Sequence, residues 1–288
     1  MDPDQPVAAH YEAKDLPGGF LGAAAAAGLD VERLDPAELA AADEFHIGGR
    51  QATIDLAEQL DVDPGMRLLD VGSGPGGASR YFAAEYGCHI TGIDLTPSYV
   101  ELATELAART GLADRLSYQV AAATDLPFPD GGFDGGYLLH VGMNVADKEL
   151  LCAELARVLI PGGFFAIYDV MRIGEGDLDY PQPWADDPAI SFLQTPAHYR
   201  SCLEKAGFVV DPPWERREFA IESLRVIRER IAAEGLPPLG LHLLMGPDFG
   251  QKITNLVAGL ADAVIAPVQM IAKLPVTPQR PRAADPGR

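Results

Sequence analysis

The chain of 288 residues is long enough to bury one large core, and its 48% hydrophobic content is typical of a globular protein. Its 42 acidic against 22 basic residues give a formal net charge of −20, which repels phosphate backbones and anionic membranes. The composition therefore argues against nucleic acid or a membrane as a partner. The amino terminus lacks the basic stretch of a signal peptide, and the apolar run at 21–27 is too short to span a bilayer, so we expect a cytoplasmic protein.

Helix signals dominate the start of the chain, over residues 16–61. An alanine-rich run comes first, and Asp35 followed by a proline is a typical cap and first turn for a helix over 36–42. Amphipathic spacing predicts a further helix over 53–60. We expect residues 1–60 to form a helical lid ahead of the core.

A strand, a glycine-rich turn and a helix follow one another over residues 67–86. Apolar residues at 68, 69 and 71 predict a short buried strand, and the helix is expected over 78–86. The Gly-x-Gly-x-x-Gly spacing between them lets the backbone approach a ligand and points free N–H groups at it. The residues of this turn that we expect to bind the ligand are Gly72, Ser73, Gly74 and Gly77.

Two carboxylates at strand ends narrow the choice of ligand. Asp70 stands just before the glycines, where it would repel the pyrophosphate of a dinucleotide but attract an ammonium or a sulfonium group. Asp94 ends the next predicted strand, over 89–94, at about the twenty-residue distance expected of a ribose-binding acid. Its two oxygens suit two ribose hydroxyls, and capping the helix that starts near Pro97 is the alternative role. S-adenosylmethionine is a ligand with these groups.

Further landmarks extend the pattern along the chain. The segments 125–134 and 137–140 follow the third predicted strand, and 157–163 ends in a Pro-Gly-Gly turn before an apolar strand over 164–170. With these motifs, the segment from about 45 to 208 resembles the class I S-adenosylmethionine-dependent methyltransferases. It is most similar to their small-molecule branch, which includes sarcosine/dimethylglycine, quinone, sterol and sugar methyltransferases.

This resemblance implies a fold, a cofactor and an activity. The implied fold is α/β, a Rossmann-like, seven-stranded, mostly parallel sheet with helices on both faces, plus N-terminal helices and a helical insertion before the last strand. The implied cofactor is S-adenosylmethionine, and the implied activity is methyl transfer. Alternating strands and helices over 67–170 agree with a parallel sheet whose ligands bind beyond the carboxyl ends of its strands.

The adenine site implied by the resemblance shows one departure. The family often has Gly-Asp-Ala after its third strand, and here Ala122 replaces the acid that accepts from the adenine amino group. We therefore expect adenine to contact backbone groups near Ala123 and to lie between the side chains of Leu95 and Leu126.

His140 is the candidate catalytic base, because it ends the fourth strand, where the family points the transferred methyl group. A structural hydrogen bond in the turn over 141–144 is the alternative role. Asn144 is expected to orient a substrate amine or hydroxyl, and capping of the next helix is its alternative.

A polar, glycine-broken segment over 45–51 precedes a helix that the family lays across the cofactor. We expect His46 to touch the substrate, and Arg50 or Gln51 to meet the methionine carboxylate of the cofactor. A surface loop is the alternative for this segment.

Three further side chains are substrate-binding candidates. Tyr11 and Trp184 are expected as lid aromatics, whose faces would favour a cationic nitrogen, with ordinary packing as the alternative. Asp169 ends the fifth strand and is expected to contact the substrate, with a solvated strand end as the alternative.

The remaining elements define the organisation of the chain. The sequence predicts a loop over 173–195, a helix over 196–206, a strand over 208–210, helices over 221–233 and 249–263, and a strand over 268–274. The predicted units are a lid at 1–60, a Rossmann-like core at 61–220, a helical insertion or cap at 221–264, the last core strand at 265–274 and a disordered tail at 275–288.

These observations predict S-adenosylmethionine-dependent methyl transfer to a small-molecule acceptor, with N-methylation slightly favoured. C- or O-methylation of a quinone, an isoprenoid or a natural product is the alternative chemistry. An NAD-dependent dehydrogenase and a non-catalytic cofactor-binding module are the alternatives of another class. No His, Cys or carboxylate cluster has metal-ligand spacing, so we expect no metal, and a homodimer is one assembly that the sequence allows.

Overall fold

The computed structural model describes residues 3–276, in which one large sheet carries helices on both faces. The strands are β1 (Arg67–Val71), β2 (His89–Asp94), β3 (Leu116–Val120), β4 (Phe133–Leu139), β5 (Leu159–Arg172), β6 (Val209–Val210), β7 (Trp214–Glu215) and β8 (Ile265–Lys273). The helices are α1 (Asp4–Tyr11), α2 (Leu16–Ala26), α3 (Pro36–Asp43), α4 (Gly49–Ala57), α5 (Gly77–Tyr86), α6 (Pro97–Arg109), α7 (Lys148–Val158), α8 (Pro196–Lys205), α9 (Arg217–Glu234), α10 (His242–Met245) and α11 (Phe249–Ala261).

The strand order is β3-β2-β1-β4-β5-β8-β6, with β7 paired to another part of β8. β1 to β5 pair in parallel, and β8 is antiparallel to its three neighbours. The predicted Rossmann-like, mostly parallel α/β sheet is therefore confirmed, but its strand number is wrong. Within the described residues the sheet has eight strands, because Trp214 and Glu215 pair with Gln269 and Val268. Two residues are too short a run to show a strand pattern in the sequence.

Two hydrophobic clusters lie on opposite faces of the sheet, and successive residues of the central strands belong to them in turn. In β1, Leu69 and Val71 pack with α7 and α8, whereas Leu68 packs with α4 and α5. In β5, Phe165 belongs to the same cluster as Leu69 and Val71, and Phe164 belongs to the same cluster as Leu68. Because both faces are covered, these strands read as continuous apolar runs, as the sequence showed.

Several element boundaries differ from the sequence prediction. α4 begins at Gly49 and not at 53, and β8 begins at Ile265 and not at 268. β5 already starts at Leu159, so that the Pro-Gly-Gly turn lies within it, at a place where the pairing with β4 shifts register. Pairing with distant strands sets these strand boundaries. β8 pairs with β5 along its whole length, from Ile265 to Lys273, and the paired part of β5 continues to Arg172, past its apolar residues.

The helices outside the sheet pack onto the carboxyl ends of its strands. α2 and α3 share a buried cluster with α6, and α9, α10 and α11 share another with Ile47, Met143 and Trp184. None of the helices in the described part of the chain is long and apolar enough to cross a membrane. The tail predicted at 275–288 lies, from 277 onward, outside the described residues.

Candidate active site

The glycine turn after β1 is fixed by close packing and by backbone hydrogen bonds. Gly72 has a φ of +70°, and a Cβ there would lie 2.3 Å from Cγ2 of Val141, so only glycine fits. The N–H of Ser73 donates to the carbonyl of Ile93 at 2.8 Å, which ties the turn to β2. Gly74 also has a positive φ, and no atom lies within 4 Å of the position its Cβ would take. The turn thus presents bare backbone to the space above it.

Asp94 at the end of β2 is held by two backbone N–H groups. Its Oδ2 accepts from Gly74 at 2.9 Å and its Oδ1 accepts from Thr96 at 2.9 Å. Burial raises the pKa of Asp94, and these N–H donors oppose that shift. Each carboxylate oxygen keeps a lone pair for a further donor. The alternative role as the cap of α6 is wrong, because the residue at the cap position is Thr96 and Asp94 accepts from its N–H and not from the first turn of the helix. The ribose site stays a prediction.

Asp70 at the end of β1 is almost fully buried, with 3% of its surface exposed. Its Oδ2 accepts from the hydroxyl of Ser79 at 2.6 Å and from that of Tyr137 at 3.1 Å. Burial raises the pKa of Asp70 to about 7, while the two hydroxyl donors lower it. The carboxyl is anchored to α5 and β4 at the floor of the site.

A cavity of about 660 Å³ lies above these strand ends. Most of the residues expected from the sequence to bind a cofactor or substrate line it. They are Tyr11, His46, Gln51, Asp70, Gly72, Ser73, Gly74, Asp94, Leu95, Ala123, His140, Asn144 and Trp184. Its volume falls within the usual range of small-molecule sites, roughly 300–1,000 Å³.

Four expected site residues lie away from the cavity wall. Leu126 is buried in the core against α7, and Asp169 is fully buried and accepts from the hydroxyl of Tyr199 at 2.5 Å. Gly77 begins α5, where a Cβ would lie 2.5 Å from the carbonyl oxygen of Asp43. Ala122 accepts a turn hydrogen bond from Asp125. Strand-end position alone does not show which way a side chain points, and this accounts for Asp169.

His140 follows β4 in an unusual backbone conformation and a nonpolar setting. Its φ is +56°, and its N–H donates to the carbonyl of Tyr168 at 2.7 Å. Both ring nitrogens are buried without a hydrogen-bond partner among residues 3–276. Burial, and then the neighbouring His46, hold the pKa of His140 well below its usual value. A strained residue with an unsatisfied imidazole at the cavity wall indicates a functional role.

His46 lies beside His140, and its ring is held by hydrogen bonds. The two rings are nearly parallel, with centroids 6.0 Å apart. Nε2 of His46 lies 3.1 Å from the carbonyl oxygen of Gly49 and 3.1 Å from the hydroxyl oxygen of Thr53. Thr53 itself donates to Glu44 at 2.8 Å. This network assigns the proton of His46 to Nε2 and leaves Nδ1 as an acceptor. Burial lowers the pKa of His46 to about 4.

Side-chain hydrogen bonds hold the amino-terminal helix α1 over the cavity. The hydroxyl of Tyr11 donates to Oδ1 of Asn144 at 2.9 Å, and Nδ2 of Asn144 donates to the carbonyl of Trp184 at 2.8 Å. Nδ1 of His10 lies within hydrogen-bonding distance of Oδ2 of Asp186, at 3.0 Å. Asn144 therefore joins the lid to the loop after β5. His10 and Asp186 were not among the predicted residues, because contacts between residues so far apart leave no local pattern.

Two further expected residues have defined partners. Gln51 donates to Asp55 at 2.7 Å on the exposed side of α4, so its side chain is already engaged at the cavity edge. Trp184 is buried, and its ring N–H donates to the hydroxyl of Ser191 at 2.9 Å. Arg50, the alternative to Gln51, pairs with the buried Glu44 at 2.5 Å.

The side of the cavity opposite the glycine turn is formed by α9, α10, α11 and the segment 235–241. We call its cavity-facing residues the helical wall. It is largely apolar, and its side chains include Phe219, Leu224, Ile231, Met245, Phe249 and Leu256. The sequence predicted α9 and α11, but it predicted neither α10 nor the helix faces that meet the cavity. In the part of the chain that the structure describes, no group of three His, Cys, Asp or Glu side chains is arranged to hold a metal ion.

Comparison with known proteins places this site in a family context. Residues 69–167 match the family model described as a methyltransferase domain. A probable chloroplastic tocopherol O-methyltransferase of Oryza sativa subsp. japonica is 46% identical over 95 residues, 33% of this chain and 26% of that protein. The O-methyltransferase cnsE of Penicillium expansum is 29% identical over 222 residues, 74% of each chain.

The similarity to a solved structure covers more of this chain than the match to the family model does. A crystal structure of the [4+2]-cyclase SpnF has a TM-score of 0.64 and 25% sequence identity, and covers 79% of this chain and 82% of that one. The chain spans only 26% to 34% of the length of four of the plant and fungal relatives that it matches.

Proposed function

We propose that this chain, which belongs to the class I S-adenosylmethionine-dependent methyltransferases, transfers a methyl group to a hydroxyl of an apolar small molecule. One observation carries the proposal. A single cavity joins the glycine turn and Asp94, which suit the cofactor, to the unpartnered imidazole of His140 and to the apolar helical wall.

The residues at the strand ends fit S-adenosylmethionine. Asp94 offers an oxygen to each ribose hydroxyl, and the backbone of Gly74 leaves open space beside it. Ser73, Thr96 and Tyr99 line the cavity with buried hydroxyl oxygens that have no partner in the described chain. Such groups cost free energy until a ligand or water satisfies them. When bound, the cofactor supplies an electrophilic methyl group on sulfur.

His140 is the group that takes the proton of the acceptor hydroxyl. Its depressed pKa keeps the ring neutral, so that a ring nitrogen can accept a hydrogen bond at physiological pH. The acceptor oxygen gains the methyl group and gives its proton to this nitrogen, and S-adenosylhomocysteine is the co-product. His46 presents the lone pair of Nδ1 close by, and we propose that it helps to orient the acceptor.

A hydroxyl acceptor suits the cavity better than the cationic amine that the sequence slightly favours. Two buried carboxylates beside the cavity already have cationic partners, because Asp43 pairs with Arg80 at 2.6 Å and Glu44 pairs with Arg50. The helical wall offers apolar surface, on which a charged amine would lose hydration without compensation. C-methylation of an activated ring remains the alternative within the same chemistry.

The test is methyl transfer to a panel of acceptors. The protein is incubated with S-adenosylmethionine labelled in its methyl group and with matched phenols, quinols and amines of equal carbon number. We expect label in the phenol or quinol ethers and little in the amines. Preferential labelling of amines would overturn the hydroxyl assignment. Failure to bind S-adenosylhomocysteine in calorimetry would overturn the proposed activity itself.

A second candidate is ring formation within the same cavity. The similarity in fold to a [4+2]-cyclase, together with an apolar cavity that can enclose a folded chain, favours it. Mass spectrometry of the product separates the two reactions. Methyl transfer adds the mass of a methylene group to the acceptor, whereas cyclisation by a [4+2] addition leaves the mass unchanged.

A further inference from the structure

We propose that the acceptor carries a long, uncharged apolar tail, which lies along the helical wall and leaves the cavity between Val226 and Leu236. This inference rests on the proposed function and names the class of acceptor that the site would take. It assigns the specificity for that tail to the outer part of the helical wall, far along the chain from the cofactor motifs.

The inner part of the helical wall is built to contact apolar groups. Leu224, Met245 and Leu256 are buried and belong to one hydrophobic cluster with Trp184. The wall also includes a few polar residues, among them Glu222 and Arg230. Glu222 is paired with Arg225 at 2.6 Å. An uncharged tail therefore meets a surface on which the carboxylate of Glu222 already has a cationic partner.

The outer part of the wall reaches the protein surface through exposed apolar side chains. Val226 is 51% exposed and Leu236 is 53% exposed, and both line the cavity that contains His140. Other exposed apolar side chains, such as Leu150 and Val209, do not line it. The cavity thus continues from the reactive end to an apolar rim, and an occupant of sufficient length would cover that rim.

The charge at this rim favours an uncharged end over an anionic head group. Arg225 pairs with both Glu222 and Glu229 at 2.6 Å, and one guanidinium shared by two carboxylates leaves a negative charge on α9 next to Val226. Arg230 also lines the cavity, and its guanidinium could pair with an anion. A tail that ends in a carboxylate is therefore the alternative, and the experiment below tests it.

Chain length provides the measurement. Each methylene moved from water to an apolar wall strengthens binding by about fourfold, from roughly 0.8 kcal/mol per methylene. We use para-alkylphenols from ethyl to decyl as probes, with S-adenosylhomocysteine bound, and measure dissociation constants by calorimetry. Affinity should rise steadily with length and level off once the chain has passed Leu236.

Substitutions at the rim locate the tail. Leu236→Glu and Val226→Glu each place a charge on an exposed position, so the fold should be preserved. We expect about a tenfold loss of affinity for decylphenol, unchanged affinity for ethylphenol and unchanged binding of S-adenosylhomocysteine. Leu150→Glu is the matched control, because it adds the same charge at an exposed leucine outside the cavity.

The outcomes separate this inference from the proposed function. Equal losses for ethylphenol and decylphenol, or an unchanged slope with chain length in Leu236→Glu, would overturn the tail assignment. A change of oligomeric state on sedimentation without a change of slope would identify the rim as a contact between copies and also overturn it. An alkylphenol with a carboxylate at the end of its tail would contradict the uncharged tail if it binds more tightly than the uncharged alkylphenol and if Arg230→Gln abolishes that gain. Length-dependent binding without methyl transfer would support the tail site and contradict the activity.

Discussion

The two halves of the cavity are built in opposite ways. The cofactor half, at residues 70–74 and 93–96, comes from two neighbouring strand ends within thirty residues of sequence. The acceptor half comes from α1, the segment 44–51, His140 after β4, the loop after β5 and the helical wall, which are far apart in the chain. A contiguous motif constrains its own geometry, whereas the acceptor half exists only after the chain has folded. The first half can be inherited as a unit, and the second can be remodelled one segment at a time.

The halves also differ in how they treat charge. In the cofactor half, carboxylates are kept at strand ends and are held by backbone N–H groups or hydroxyls, as at Asp94 and Asp70. The acceptor half includes two imidazoles, those of His46 and His140, whose pKa values burial has lowered. The first arrangement suits a ligand with hydroxyl donors, and the second suits a neutral hydroxyl as the proton donor.

The largest expected effect tests the chemistry of the acceptor half. His140→Ala should lower turnover by roughly 10²–10⁴-fold, because it removes the proton acceptor. The affinity for S-adenosylhomocysteine should stay unchanged in calorimetry. Because the pKa of His140 lies below its usual value, the rate of the parent protein should rise with pH and level off below pH about 6.5.

The control for this experiment is His89→Ala, which removes an exposed histidine at the start of β2. It should keep both the turnover and the pH profile. If the rate of His140→Ala still rises with pH as in the parent protein, another group titrates over that pH range, and His46 becomes the first candidate. Weakened cofactor binding in His140→Ala would break the division into two halves, because it would place one residue in both.

The second effect tests the charge held in the cofactor half. Folding raises the pKa of Asp70 from 3.8 to about 7, so between those values the folded state binds more protons than the unfolded state. Stability of the protein without ligand should therefore fall as pH rises from about 4 to 7, by up to about 4 kcal/mol. Asp70→Asn should reduce this slope in urea unfolding measured at pH 5 and pH 8, and Asp169, whose pKa burial raises to about 6, should keep its own share of it. Asp114→Asn, at an exposed loop position, should leave it in place.

The contrast between the halves explains what the sequence could predict. The glycine turn, Asp70 and Asp94 could be identified because strand ends in a parallel sheet meet at one edge. The match over residues 69–167 covers this part of the chain. Leu126 was misplaced, because its position after β3 does not show that its side chain turns into the core.

The acceptor half could be predicted only in outline. Helices over the insertion were expected, but amphipathic spacing cannot say whether an apolar face meets a core or a cavity. The partners of Asn144 illustrate the difficulty, because Tyr11 lies 133 residues away and Trp184 lies 40 residues away. Such contacts depend on the packed structure and leave no spacing in the sequence.

A third prediction measures how much of the cofactor half depends on one carboxylate. Asp94→Ala removes the proposed ribose acceptors and also frees the N–H groups of Gly74 and Thr96. We expect S-adenosylhomocysteine to bind more weakly by about 1.5–3 kcal/mol in calorimetry. Asp94→Asn keeps one acceptor oxygen and should show a smaller loss. Full affinity in a folded Asp94→Ala protein would remove Asp94 from the cofactor site.

The smallest expected effect tests the junction between the lid and the acceptor half. Tyr11→Phe deletes one hydroxyl, and with it the 2.9 Å hydrogen bond to Asn144, while the ring keeps its contacts with Phe45 and Tyr99. One such bond contributes about 0.5–1.5 kcal/mol, so amide hydrogens of α1 should exchange roughly two- to tenfold faster. Exchange in the glycine turn should not change, because that turn is tied to β2 by the hydrogen bond from Ser73 to Ile93. Tyr180→Phe is the matched control, since its hydroxyl makes no hydrogen bond within residues 3–276. Faster exchange at Gly72 to Gly74 in Tyr11→Phe would show that the lid also orders the cofactor turn, and the two halves would then have to be treated as one coupled unit.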